Sequence, residues 1–153
     1  MKDKIFIDSD IILDVVFDRK PFVNDSKRIL ALIEQNLFEG YTSSLIIANC
    51  YYIISANVNN KIALKTINKL RSIFKILPFS DKEIGESINS QFKDFEDGIE
   101  YFIALNHGIN TIITRNINDY KKAKCSVFMP TDFVNLRAIK EIINNLDLKT
   151  TQD

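Results

Sequence analysis

Histidine, cysteine and long apolar runs are scarce in this sequence, and each shortage excludes a class of protein. The only histidine, His107, precedes Gly108 at an expected helix end, so no Ser-His-Asp arrangement is indicated. The two cysteines, Cys50 and Cys125, lack the spacing of a metal site, and we expect both to pack in the interior. No apolar run is long enough to span a membrane, and the residues before Ile5 do not resemble a signal peptide, which predicts a cytoplasmic protein.

An excess of charge is also missing, because 20 basic and 20 acidic side chains cancel. This balance argues against a protein that binds nucleic acid through net charge alone. The charges are nevertheless clustered. Lys61, Lys65 and Lys69 recur at every fourth position of an expected helix, which is typical of a solvated helix face. Acidic residues gather between Asp94 and Glu100, and beside an acidic metal pocket the three lysines would form a track for phosphates.

The stretch from Lys4 to Asp14 carries the clearest functional signal. Its apolar residues predict a buried strand that ends at Asp8, followed by a helix that packs back on the strand. The carboxyl edge of an open α/β sheet is where ligands bind, so Asp8 and Asp10 mark a site there. Neighbouring carboxylates repel unless a cation lies between them, and oxygen ligands suit Mg²⁺ or Mn²⁺. We expect Asp10 to act as the N-cap of the helix.

The 153 residues fit one domain, which we place at 1–148, with a frayed tail at 149–153. Further apolar runs predict three more strands, at 73–79, 110–114 and 128–129. Local chemistry predicts the helix starts and stops: a cap at Asn24 or Asp25, a break at Gly40, a cap at Ser43 or Ser44, a Ser80 and Glu83 capping box with a helix end near Phe92, a stop at Gly108, and a closing helix capped by Thr131 or Asp132.

Polar residues follow the strand at 110–114, and a helix precedes that strand. Helical connections favour parallel pairing, so Arg115, Asn116 and Asp119 are expected at the same sheet edge as Asp8. Asp97, at the start of the preceding helix, points to the same edge by a weaker argument, because a helix rather than a strand leads into it.

Four segments in this order and spacing resemble the PIN domain, in particular the small bacterial VapC-like toxins. They are IFIDSDIILD, SSLIIANCYYII, DFEDGIEYFIAL and IITRNINDY, and the resemblance covers essentially the whole chain. The resemblance implies an α/β, single-domain, three-layer sandwich with a central, mainly parallel β-sheet flanked by helices. It also implies an endoribonuclease that depends on Mg²⁺ or Mn²⁺, in which acids hold the metal that activates water.

Residue by residue, the resemblance assigns catalysis and metal binding to Asp8, Asp97 and Asp119. The family's second acid, a Glu in an apolar helix, falls on Asn49, which offers oxygen without charge and should weaken cation binding. The possible substitutes for that missing charge share an acidic side chain near the cluster: Asp10, Asp94, Glu96 and Glu100. Asn116 is expected as a hydrogen-bonding neighbour.

Neighbouring polar side chains have smaller expected roles. Thr114 or Ser9 could orient water or a carboxylate, although ordinary capping or turn chemistry is the favoured explanation of both hydroxyls. Arg115 could bind phosphate through two hydrogen bonds, with a solvated surface position as the alternative.

The resemblance further implies a small antitoxin partner and a homodimer, with RNA as the substrate. Two other functions stay open. One is a catalytically weakened PIN domain that binds RNA or protein without cutting, and its best support is Asn49. The other is a haloacid-dehalogenase-like phosphatase that uses Asp8 as a nucleophile, although TRNINDY suits its later acids poorly.

Overall fold

The computed structural model describes residues 1–151, which form a single five-stranded sheet with helices around it. The strands are Lys4–Ile7 (β1), Glu39–Ser43 (β2), Lys75–Leu77 (β3), Thr111–Ile113 (β4) and Ser126–Phe128 (β5). The helices are Ser9–Val16 (α1), Val23–Glu34 (α2), Ser44–Asn57 (α3), Asn60–Ile73 (α4), Asp81–Ile88 (α5), Phe95–Asn106 (α6), Pro130–Val134 (α7) and Arg137–Thr150 (α8), with a 3-10 helix at Ile117–Tyr120.

All pairings in the sheet are parallel, and the strand order is β3-β2-β1-β4-β5. Helices α1 to α4 pack against one another, and α5 pairs with α6. Parallel crossovers are right-handed, so the connections through α1 to α4 lie on one face and the connection through α5 and α6 lies on the other. This confirms the predicted three-layer α/β class.

β1 is the central strand and the centre of the core. Its Ile5, Phe6 and Ile7 are at most 1% exposed, and Ile112 and Ile113 of β4 are fully buried beside them. Burying a side chain of this size contributes about 1.5–3 kcal/mol. The continuous apolar run is therefore the reason that β1 occupies the middle of the sheet. The chain order reverses between β1 and β4, and this switch point is the usual ligand-binding crevice of such sheets.

One strand was missed by the sequence analysis. We predicted only that Gly40 breaks the second helix, and no strand was expected there, but Gly40 lies in β2, between β1 and β3. A Cβ at this position would lie 2.6 Å from Ile33 Cγ2, so glycine permits the close contact with α2. The segment EGYTS has no apolar run, and it is a strand because both of its neighbours pair with it.

Two predicted caps were also wrong. Neither Asn24 nor Asp25 caps α2, since the helix begins after Phe22 without a side-chain cap. The closing helix is divided into α7 and α8, and α7 starts at Pro130 rather than after a cap from Thr131 or Asp132. By contrast, the Ser43 cap, the Ser80 and Glu83 capping box and the positive φ of Gly108 are confirmed.

Helix ends differ in smaller ways. Helix α5 ends at Ile88, earlier than the predicted Phe92. Helix α8 includes Lys149 and Thr150, which we assigned to a frayed tail, and residues 152 and 153 of that tail lie outside the described residues. No helix described within residues 1–151 has the length and apolar character needed to cross a membrane.

Candidate active site

The carboxyl ends of the parallel strands open into an acidic pocket of about 200 Å³. Its walls come from the turn after β1, the helices α3 and α6, and the segment after β4. The lining residues are Asp8, Ser9, Asp10, Ile46, Asn49, Asp94, Glu96, Asp97, Glu100, Asn116 and Asp119. Every candidate metal ligand named from the sequence therefore lies in one pocket, which we call the acidic pocket.

Asp8 is fixed at the base of this pocket by hydrogen bonds to both of its carboxylate oxygens. The Ser9 amide donates to Oδ1 at 2.7 Å, and Thr114 Oγ1 donates to Oδ2 at 2.7 Å. Asp8 is thus the N-cap of α1, and the assignment of that role to Asp10 was wrong. Burial raises the pKa of Asp8, although the hydrogen bonds from Thr114 and Ser9 oppose the shift.

Thr114 links the ends of β1 and β4. Besides donating to Asp8, its Oγ1 accepts a hydrogen bond of 3.0 Å from the Asn116 amide. Asn116 Nδ2 in turn lies 3.4 Å from Asp10 Oδ2. The fully buried Thr114 therefore orients Asp8 on one side and the turn after β4 on the other.

Helix α6 brings its first turn to the pocket. The Asp94 carboxylate caps the helix by accepting from the Asp97 amide at 2.9 Å, which fixes the start of the helix. Burial raises the pKa of Asp97 to about 8, and the nearby charges of Asp8, Asp94 and Asp119 add to the shift. Without a cation, this carboxyl is therefore partly protonated near neutral pH.

Glu100 lies one helical turn beyond Asp97 and is only 3% exposed. Ser43 Oγ, at the end of β2, donates to Glu100 Oε1 at 2.9 Å. Glu100 Oε2 is buried and has no hydrogen-bond partner within the part of the chain that the structure describes. Burial raises the pKa of Glu100 to about 8, the Ser43 hydrogen bond opposes this, and the charges of Asp8 and Asp97 reinforce it.

Asn49 of α3 contributes a neutral side chain to the same wall. Cys50, next to it, is fully buried, and burial together with the charges of Asp8 and Asp10 raises the pKa of its thiol to about 12. That thiol remains protonated and is packed in the core. The acidic pocket is thus lined mainly by acids, together with the two amides Asn49 and Asn116, and no basic side chain is among its lining residues.

None of the basic residues named from the sequence lines the acidic pocket. Arg115 lies 3.0 Å from the carboxylate of Asp14, and its guanidinium is 4.0 Å from the ring centre of Phe22. Lys65 and Lys69 line a separate, largely apolar groove of about 510 Å³ between α1, α2 and α4. The structure therefore does not bring these two lysines into the lining of the acidic pocket.

Three residues near the site were given no part in the functional site by the sequence analysis. Asp14 holds Arg115, and its position four residues after Asp10 on α1 was the only available signal. Ser43 was predicted as a helix cap, but its contact with Glu100 spans 57 residues and leaves no local pattern. Tyr120 is 2% exposed, and its hydroxyl has no partner in the described chain; burial raises its pKa well above the usual range.

The chemistry of the acidic pocket fits a hard divalent cation. Its donors are carboxylate and amide oxygens, which suit Mg²⁺ or Mn²⁺, and the orphaned Glu100 Oε2 is an unused buried acceptor. Within residues 1–151, no three carboxylate, thiol or imidazole groups are close enough together to enclose an ion. The evidence that the acidic pocket suits a divalent cation is therefore the type of its donor atoms and the unpaired Glu100 Oε2.

Comparison with known proteins agrees with this geometry. Residues 4–118 match the model of the PIN domain family. A ribonuclease, VapC1 of Aquifex aeolicus, is 29% identical over 123 residues, which cover 77% of this chain and 85% of that protein.

Two solved structures share the fold. The VapBC2 complex of Rickettsia felis, bound to a promoter DNA fragment, matches with a TM-score of 0.64 and 16% identity, covering 82% of this chain and 98% of the matched one. A toxin-antitoxin complex of Klebsiella pneumoniae matches with a TM-score of 0.61 and 18% identity, covering 82% and 96%. The family match spans most of the chain, including Asp8 and Asp97 in the acidic pocket, so the chain belongs to the PIN domain family.

Proposed function

We propose that this protein is a metal-dependent endoribonuclease and the toxin of a toxin-antitoxin pair, acting on RNA in the cytoplasm. The observation that carries the proposal is the acidic pocket at the switch point between β1 and β4. The similarity to a relative named ribonuclease and to toxin-antitoxin structures supports the same function.

Asp8, Asp97 and Asp119 are the proposed catalytic residues and ligands of Mg²⁺ or Mn²⁺. A divalent cation held there would supply the Lewis acidity that activates water and offsets the charge of the phosphate. Thr114 keeps the Asp8 carboxylate in one orientation through its 2.7 Å hydrogen bond. When the pocket holds no cation, burial and the charges of Asp8, Asp94 and Asp119 raise the pKa of Asp97 to about 8.

Asp10, Glu96 and Asn116 are proposed to support the site without binding the ion directly. Asp10 is occupied by contacts with Arg19, Arg115 and Asn116, and Glu96 is exposed at the rim. Phosphate contacts would come from Arg115 at the pocket edge, where its side chain remains 20% exposed. Lys61, Lys65 and Lys69 on α4 are candidates for contact with RNA that extends beyond the pocket.

Protein partners are part of the proposal. The apolar groove between α1, α2 and α4 suits a helix of a small antitoxin, and the acidic pocket would attract a basic side chain from that partner. A homodimer is also proposed, supported by Tyr52 and Leu64, whose apolar side chains are 68% and 61% exposed on α3 and α4.

A PIN domain that binds RNA without cutting is the second candidate, because Asn49 stands in the pocket wall without a charge. The haloacid-dehalogenase-like phosphatase is no longer a candidate, since the chain belongs to another family. The pocket lining also lacks the lysine that such an enzyme needs.

The test is cleavage of end-labelled RNA by the purified protein with Mn²⁺ and with EDTA. Internal cuts that require Mn²⁺ and disappear in Asp97→Asn are expected. Lys140→Gln, on the exposed side of α8, is the matched control and should cut normally. RNA binding by the parent without any cut would instead favour the non-cutting binder.

A further inference from the structure

We propose that Glu100 is a metal ligand that replaces the acid missing at position 49. Asn49 on α3 and Glu100 on α6 line the same pocket from two different helices. This inference rests on the proposed function, because it concerns the cation of that site. The negative charge that position 49 lacks is then supplied by α6, on another wall of the pocket.

The unpaired Oε2 atom is the first argument. Glu100 is 3% exposed, and only its Oε1 is hydrogen-bonded, to Ser43 Oγ. A buried carboxylate oxygen without a partner costs free energy, and neighbouring carboxylates increase that cost. The described residues provide no cation for Glu100. A bound divalent ion would remove both penalties at once.

The direction of the carboxylate is the second argument. Asp97 and Glu100 are three residues apart on α6, so they lie on the same face of the helix. Ser43, at the carboxyl end of β2, holds Oε1 and leaves Oε2 as the free acceptor in the pocket wall. The sheet edge therefore orients Glu100 as it orients Asp8.

The other acids that could replace the missing charge are engaged or exposed. Asp10 lies 3.8 Å from Arg19 and 3.9 Å from Arg115, and its other oxygen accepts from Asn116. Asp94 is used to cap α6. Glu96 is exposed to solvent. Among these four, Glu100 alone is buried with a free oxygen in the pocket.

Calorimetric titration of Mn²⁺ into the full chain tests the inference. Glu100→Gln keeps the size and the Ser43 contact but removes the charge, and we expect Mn²⁺ affinity to fall roughly tenfold or more. Without metal, the variant should unfold at the same or a higher urea concentration than the parent. This second readout separates loss of a ligand from loss of the fold. Glu141→Gln, on the exposed side of α8, is the matched control and should change the affinity less than threefold.

A charge-relocation variant makes the test specific. Asn49→Glu combined with Glu100→Gln returns the acid to α3, and it should recover most of the lost affinity. Glu100→Asp keeps the charge but shortens the side chain, and it should bind Mn²⁺ more weakly than the parent.

The outcomes distinguish this inference from the proposed function. Loss of binding in Asp97→Asn with full binding in Glu100→Gln would overturn the role of Glu100 and leave the acidic pocket as the metal site. Full binding in both variants would overturn both proposals. Failure of the relocated acid to restore binding would contradict the replacement of position 49 by Glu100.

Discussion

Arg115 and Asp14 form an ion pair of 3.0 Å between residues 101 positions apart in the sequence. The carboxylate is fully buried, and Ser26 Oγ donates to its other oxygen at 3.2 Å. Phe22 covers the guanidinium at 4.0 Å. The pair therefore fixes the segment after β4 to helix α1, directly beside the acidic pocket.

Removing this buried carboxylate should destabilise the protein strongly. Asp14→Ala leaves Arg115 without its main partner, and breaking a buried pair costs about 3–5 kcal/mol. Urea unfolding measures the loss. Arg28→Gln is the control, because it removes an exposed ion pair of 2.9 Å with Asp25 and should cost about 1 kcal/mol or less. Equal losses in the two variants would contradict a structural role for the Asp14 pair.

The stability of the metal-free protein should fall as the pH rises. Asp97 and Glu100 both have a pKa of about 8 in the folded state, above their ordinary values of 3.8 and 4.5. Between about pH 4 and pH 8 the folded state keeps protons that the unfolded state has lost, so the free energy of unfolding decreases across this window and levels off above it. One pKa unit corresponds to about 1.4 kcal/mol, so the decrease should exceed that value.

Urea unfolding in EDTA at pH 5.5 and pH 8.5 measures this decrease. The Ser80 backbone hydrogen bond holds the pKa of Glu83 at about 2, below its ordinary value of 4.5. The stability that this gives is lost only below pH 4.5, so Glu83 does not affect the comparison between pH 5.5 and pH 8.5. Asp97→Asn combined with Glu100→Gln should flatten the dependence, and saturating Mn²⁺ should also flatten it. An unchanged slope in the double variant would assign the effect to other groups.

Two glycines provide a matched test of the packing that supports α6. A Cβ at Gly98 would overlap Ser87 Oγ on α5, so Gly98→Ala should cost about 1–3 kcal/mol through overpacking. Gly85 has open space around it inside α5, so Gly85→Ala should stabilise the protein by up to about 1 kcal/mol. Thermal unfolding of both variants measures the difference in sign. A stabilising Gly98→Ala would mean that α5 and α6 are farther apart.

The lysines of α4 should affect only the binding of RNA that extends beyond the acidic pocket. Replacing Lys61, Lys65 and Lys69 by Gln should reduce the salt dependence of RNA binding by about 0.7 in slope for each phosphate contact that is lost. The measurement is RNA affinity at several salt concentrations in EDTA, which prevents cleavage. Mn²⁺ affinity should not change. An unchanged salt slope would mean that these lysines do not contact RNA and instead face solvent or bind the protein partner.

Local chemistry predicted most of the fold. The apolar run of β1, the Ser43 cap, the Ser80 and Glu83 capping box and the Gly108 stop each depend on neighbouring residues, and all are found in the structure. β2 was missed because its buried position comes from strands on both sides rather than from its own apolar content.

The composition of the acidic pocket was predictable because strand ends collect at one edge of a parallel sheet. The contacts inside it were not. The pairing of Ser43 with Glu100 and that of Asp14 with Arg115 join distant parts of the sequence and leave no periodic pattern. For the same reason, the sequence offered four candidates for the missing charge and no basis for choosing Glu100.

The central position of β1 also sets the order in which the sheet can form during synthesis. β1 pairs on one side with β2, about 35 residues later, and on the other with β4, more than 100 residues later. Parallel pairings over such separations form slowly, because the entropy of closing the loop is lost before the contacts form. Thr114, which orients Asp8, is translated 106 residues after it. The acidic pocket of a nascent chain is therefore incomplete until the segment after β4, which carries Thr114 and Asp119, has been synthesised.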